Sequence, residues 1–183
     1  NFGTLLEQMQ ATAFTAHPYQ FPTIGWPSDI EQWKLDDLKK FFKTYYAPNN
    51  AVLVVAGDVE PAQVFALADK YLAALPKQPA PAPITTVEPE QLGERRLVVE
   101  RADAQSPIVA YAFHSGIGAG SKDYPTLELL TTILSQGESS RLHQRLVEKE
   151  QAATQAGAFA EAGFDPGLLW VYAMLPPTKD VAG

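Results

Sequence analysis

The chain has 183 residues, a formal net charge of -7, 46% hydrophobic and 19% charged residues, and no cysteine. That is enough for one ordinary domain or two small ones, and the charged fraction is too low for a solvated disordered tail. The acidic balance, with no run of Lys or Arg, excludes a basic nucleic-acid face, and the missing cysteines exclude disulfides, thiolate zinc sites and a cysteine nucleophile.

The start, Asn1-Phe2-Gly3-Thr4, carries no initiator Met and no leader pattern. The end, from Lys179 to Gly183, follows a double proline. Both ends read as cuts from a longer chain. Leu5, Leu6, Met9 and Phe14 predict a helix before His17-Pro18. Ser28-x-x-Glu31 has the pattern of a capping box. Beyond it, Leu35, Leu38, Phe41, Phe42 and Tyr45 predict a second helix, stopped by the turn Pro48-Asn49-Asn50. Residues 51–56 are wholly apolar and predict a strand buried on both faces. Pro61 opens a further amphipathic helix through Val64, Leu67, Ala68, Tyr71 and Leu72.

Five prolines, Pro76, Pro79, Pro81, Pro83 and Pro89, then mark an extended connector. They divide the chain into residues 1–76, a linker over 77–93, and residues 94–183. The second piece predicts strands over 96–101 and 108–113. Asp123 is placed to cap a helix carrying Leu127, Leu130, Ile133 and Leu134. Ser139 is placed to cap another through Leu142, Leu146 and Val147, after a break at Gly137. Residues 152–162 and 168–175 read as two strands of an antiparallel hairpin around Gly163-Phe164-Asp165-Pro166-Gly167. The expected fold class is α+β, a mixed, largely antiparallel sheet with helices packed on one face. No apolar run approaches the roughly 20 residues that a membrane-spanning helix needs.

The candidate chemistry is thin. A zinc peptidase needs two histidines one helical turn apart with a carboxylate beside them. His17 precedes a proline, His114 ends a strand, and His143 has only Ser139, Ser140, Leu146 and Val147 as turn neighbours. Structural roles are expected for all three. The run from Gly116 to Lys122 has glycines at 116, 118 and 120, but Lys122 follows Ser121, the reverse of a Walker loop. Neither Ser115 nor Ser139 sits in a nucleophile elbow. Arg141 and Arg145 share a helix face with His143 and suit a carboxylate, a peptide terminus or a solvated face. The residues of the chain supply no catalytic residue and no metal ligand, and they name no substrate contact.

Three separated motifs nevertheless resemble one family. They are His17-Pro18-Tyr19 with Pro22 and Ile24-Gly25; Tyr45-Tyr46-Ala47-Pro48-Asn49-Asn50-Ala51 running into Val54-Val55 and Gly57-Asp58; and Ser139-Ser140-Arg141-Leu142 after Leu134 and Gly137. In that order they are similar to the pitrilysin/insulinase family of zinc metallopeptidases, which includes the mitochondrial processing peptidases. The resemblance implies homologous α/β domains closing as a clamshell around a peptide. It places the inverted zinc motif, His-x-x-Glu-His, and its distant Glu ligand upstream of Asn1. Glu7 does not match that ligand. The chain then corresponds to the end of a catalytic-type domain (1–76), a linker (77–93) and the start of the second, non-zinc domain (94–183). Zinc is expected in the parent and not in this piece.

The parent function implied is hydrolysis of peptides or proteins, this piece helping to enclose the substrate. A catalytically inactive homologue acting as partner or structural subunit is the alternative, as is a peptide-binding module. Pairing with a second family half, or self-association through residues 51–56, is expected. The resemblance favours a periplasmic or cell-envelope parent.

Overall fold

The computed structural model describes residues 2–179. Residue 1 and residues 180–183, on which the expectation about the two ends falls, lie outside them. The chain forms two compact units. One joins the segment up to Pro22 to the segment from Thr86 onward, and the other is Thr23–Thr85. The first helix therefore groups with the sheet of the second half of the sequence.

In the first unit, helix α1 (Phe2–Ala13) presents Leu6, Met9 and Ala13 along one stripe, the spacing that repeats on one helix face. The stripe packs on a core of Phe14, Leu168 and Trp170, which are 3%, 0% and 1% exposed. The sheet has three strands, β1 (Ile108–His114), β2 (Gln155–Ala162) and β3 (Pro166–Met174), in the order β1-β3-β2. All its pairings are antiparallel, with Ala112 opposite Trp170 and Phe159 opposite Trp170 on the other side. Period-two alternation puts Leu168, Trp170 and Tyr172 on one face. Phe159 stacks on Trp170 at 5.8 Å between centroids, and Phe2 meets Tyr172 at 4.9 Å. The expected hairpin is present, and the fold is α+β with a wholly antiparallel sheet.

Helix α2 (Tyr124–Ser135) packs along β2, with Ser135 Oγ donating to Ala158 O at 2.8 Å. Asp123 precedes this helix but makes no side-chain cap. Its own N–H donates instead to Ser121 Oγ. The next helical turn opens at Arg141, so Ser140 rather than Ser139 stands before it, with Gln144 N donating to Ser140 O. From His143 to Lys149 the winding is π-helical, as in the bond from Glu150 N to Arg145 O. The strand expected over 96–101 does not form. Its backbone has no partner strand among the described residues, and Arg101 turns to a bidentate pair with Asp103.

The second unit holds three helices, α3 (Pro27–Glu31), α4 (Leu35–Tyr45) and α5 (Pro61–Leu72). Pro27, whose fixed φ suits a first helical turn, starts α3 with Trp26 before it, so Ser28 lies inside the helix and caps nothing. A side-chain cap occurs one helix later, where Asp37 Oδ2 accepts the Lys34 N–H at 3.1 Å. The strand expected over 51–56 is also corrected. The segment forms no strand and is unpaired, and Val52 and Val54 are 90% and 81% exposed. Every described strand belongs to the first unit, so no neighbour is at hand to make a ladder.

An apolar segment with bare N–H and C=O groups recruits other chains. The isolated chain is expected to self-associate as its concentration rises, and Val54→Lys to reduce this. Light scattering that shows a strict monomer at high concentration for the unaltered chain contradicts the expectation.

Candidate functional site

The motif His17-Pro18-Tyr19 forms a joint at the end of α1. Pro18–Gln20 is a single 3-10 turn, fixed by the ring of Pro18 at its first position. His17 is 6% exposed. Its Nδ1 accepts the Tyr19 N–H at 3.2 Å, which leaves the proton on Nε2, 3.3 Å from Asp165 Oδ2 in the β2–β3 turn. Tyr19 reaches the same turn, its hydroxyl oxygen accepting the Asp165 N–H at 3.1 Å. A side chain at Gly163 would collide with the Tyr19 hydroxyl and ring. The rings of His17, Tyr19 and His114 all pack around Phe14.

Three more groups close the joint. Glu88 accepts the N–H groups of Thr15, Ala16 and His17 at 2.7, 2.9 and 2.9 Å. Burial opposes its ionisation, but these three bonds and the field of His114 outweigh that and hold its pKa at about 2. Arg95 donates to the last carbonyls of α1, on Thr12 and Ala13, where a cation also suits the helix dipole. His114 Nε2 donates to Ala13 O at 3.1 Å.

These bonds decide what the histidines can do. Both nitrogens of His17 and one of His114 are already engaged, and His143 is paired with Glu148 at 3.2 Å. No group of three His, Asp or Glu side chains able to hold a metal occurs among the described residues. The side chains present do not fit a zinc ion. The glycine run 116–120 crosses to the β2–β3 turn, Ala119 N donating to Gly163 O at 2.9 Å. Ser115 Oγ is tied to backbone at Ile117 and Gly167.

A further polar feature is an open cleft lined by Arg141, Gln144, Arg145, Glu148, Lys149 and Glu150. Arg145 is paired with Glu150 at 2.8 Å. Arg141 is exposed and has no charge partner among the described residues. Sequence reasoning singled out His17 and Arg141 but missed Glu88, whose only sequence signal is an acidic residue in a proline-rich connector.

Residues 32–182 match the family described as "Peptidase M16 inactive domain". The chain belongs to the M16 peptidase family. This agrees with the pitrilysin/insulinase resemblance of its motifs. It is 37% identical over 157 residues to the zinc protease PqqE of Helicobacter pylori, covering 84% of this chain and 35% of that protein. It is 25% identical over 179 residues to "Probable mitochondrial-processing peptidase subunit beta" of Schizosaccharomyces pombe, covering 92% and 39%. The crystal structure of a Helicobacter pylori protease superposes with a TM-score of 0.89 at 33% identity, covering 97% of this chain and 43% of that one. The chain thus spans well under half the length of these M16 relatives. No helix among the described residues is long and apolar enough to cross a membrane.

Two outcomes are expected at the joint. Tyr19→Phe leaves the Asp165 N–H without its acceptor and lowers stability by about 1 kcal/mol in denaturant titration. Glu88 has a folded pKa of about 2 against an ordinary 4.5. Its contribution is therefore complete above about pH 4.5 and lost as the pH falls through about 2. The stability gap between the unaltered chain and Glu88→Gln should be constant from pH 6 to 8 and close on acidification. A gap that widens below pH 4.5 contradicts this assignment.

Proposed function

We infer that the chain is a non-catalytic part of a zinc metalloendopeptidase and forms part of the wall of its substrate chamber. The match of residues 32–182 to the M16 inactive domain carries this reading. The identity to a zinc protease over 84% of the chain supports an active parent over a dead one. In this reading residues 1–76 close a catalytic-type domain, 77–93 link, and 94–183 open the second domain. Zinc and its ligands belong to another part of the parent, since the side chains here do not fit the ion. The substrate is a peptide or protein, and the partner is the zinc-bearing half of the same protein. A periplasmic or cell-envelope location is proposed on the family resemblance alone.

The role of the chain is then to bind and orient. Arg141, exposed and without a charge partner, offers a guanidinium that can donate to a peptide carboxylate or carbonyl. In the full-length parent, Arg141→Ala is expected to raise KM for peptide substrates about tenfold, the size of one lost charge-assisted hydrogen bond. Thermal stability should be unaffected.

Two measurements test the main reading. The isolated chain, washed with chelator, should hold no stoichiometric zinc by metal analysis and cleave no peptide. The full-length parent should hold zinc and cleave peptides. Zinc bound by the isolated chain overturns the reading, and a full-length parent that binds no zinc assigns the chain to an inactive homologue.

A further inference from the structure

The polar cleft around Arg141 owes its charge to the way its helix is wound. On an α-helix a side chain meets those three and four residues along. That spacing would set Glu150 against Leu146 and Val147, and Glu148 against Gln144 and Arg145. From His143 to Lys149 the winding is π-helical, so the facing residue is five along. Both ion pairs of the segment have that spacing. Glu148 Oε1 lies 3.2 Å from His143 Nε2, and Arg145 Nε donates to Glu150 Oε1 at 2.8 Å. The two acids of the cleft are thereby committed to His143 and Arg145.

Two cations are left over. Arg141 and Lys149 line the cleft, are exposed, and have no charge partner among the described residues. Glu138 precedes the helix and does not line the cleft; it is its carbonyl that Gln144 Nε2 reaches. Both cations spring from anchored backbone. Ser140, immediately before Arg141, is 4% exposed, and its carbonyl accepts the Gln144 N–H at 2.9 Å. Beyond Lys149, Glu150 N donates to Arg145 O and Gln151 ends the winding in the left-handed region at φ +49. The Gln151 carbonyl accepts from Lys179 Nζ at 3.2 Å, which brings a third cation to the same end. All the side chains that line the cleft are polar. Its surplus of positive charge stands on a chain whose formal net charge is -7.

We propose that this cleft is a carboxylate-binding subsite for the substrate peptide, with Arg141 holding one carboxylate and Lys149 attracting a second. The inference rests on the reading of the chain as part of a peptidase and narrows the Arg141 contact to carboxylates. A guanidinium matches both oxygens of a carboxylate, whereas an ammonium is a point charge that tolerates several positions. The ligand is therefore a peptide that brings two negative charges close together. They come from adjacent Asp or Glu side chains, or from one such side chain beside a free C-terminal carboxylate.

The test is peptide binding to the full-length parent, stripped of metal with chelator and followed by calorimetry, which requires no turnover. Three short Ala/Ser peptides serve as probes. One is neutral and amidated, one is amidated with an internal Glu-Glu pair, and one carries a single Glu before a free C-terminus. At least one acidic probe should bind about tenfold more tightly than the neutral one, with a preference that shrinks as salt is added. The tighter of the two identifies the source of the carboxylates. Arg141→Ala should remove most of the preference, and Lys149→Ala should cut it about threefold. Glu150→Gln, which frees Arg145, should increase it. Lys122→Ala, at an exposed cation outside the cleft, should leave it unchanged. The proposal is overturned if neither acidic probe binds better than the neutral one, or if Lys122→Ala lowers the preference as much as Arg141→Ala. Should Arg141→Ala misfold, Lys149→Ala and Glu150→Gln, which act in opposite directions, still decide. A parent that holds zinc and cleaves peptides without this preference sinks the subsite alone. A parent that holds no zinc but keeps the preference sinks the peptidase reading alone.

Discussion

Burial of Trp170, Leu168 and Phe14 beneath α1 is the interaction on which the first unit depends. A three-stranded antiparallel sheet has little stability until one face is covered. Here the cover comes from the very start of the chain, and the stripe of Leu6, Met9 and Ala13 lies on the face that carries Leu168 and Trp170. Once α1 is seated, residues 14–19 have a fixed place. The N–H groups that receive Glu88, the carbonyls that receive Arg95 and His114, and the rings that meet the β2–β3 turn all follow from it. Replacing Trp170 with a small residue would open a cavity under this helix at a cost of about 3–5 kcal/mol, and the polar joint would loosen with it.

The polar joint illustrates how histidine and acid side chains can gather without making a reactive centre. His17 is buried with both nitrogens engaged, and Glu88 spends its charge on three backbone donors that have no other partner. Such bonds stabilise a chain reversal between a helix and a distant turn, and they leave no open coordination position. Arg141, by contrast, is exposed with its charge unspent. The two situations separate a scaffold role from a contact role on physical grounds alone.

Much of this was legible in the residues. The helices over 2–13, 35–45, 61–72 and 124–135 follow from apolar spacing, and the hairpin follows from two apolar runs around a Gly-Phe-Asp-Pro-Gly turn. What periodicity could not supply was partnership. Residues 51–56 have the composition of a core strand, but a strand exists only with a neighbour, and residues 96–101 fail for the same reason. The grouping of α1 with the later sheet depends on contacts across the whole sequence, which no local window contains. Glu88 was invisible because its donors lie some seventy residues upstream. Nothing in the residues 143–149 distinguishes π winding from ordinary helix.

The fit of Tyr19 against Gly163 has a consequence for how this sequence can change over time. Any Cβ at position 163 would occupy the space of the Tyr19 ring and hydroxyl. Two positions near opposite ends of the chain are thereby bound into a single steric unit. A larger residue at 163 requires the Tyr19 side chain to move aside or position 19 to shrink, and either change gives up the hydrogen bond to Asp165. Drift at either position costs that hydrogen bond, so the two positions are expected to change together.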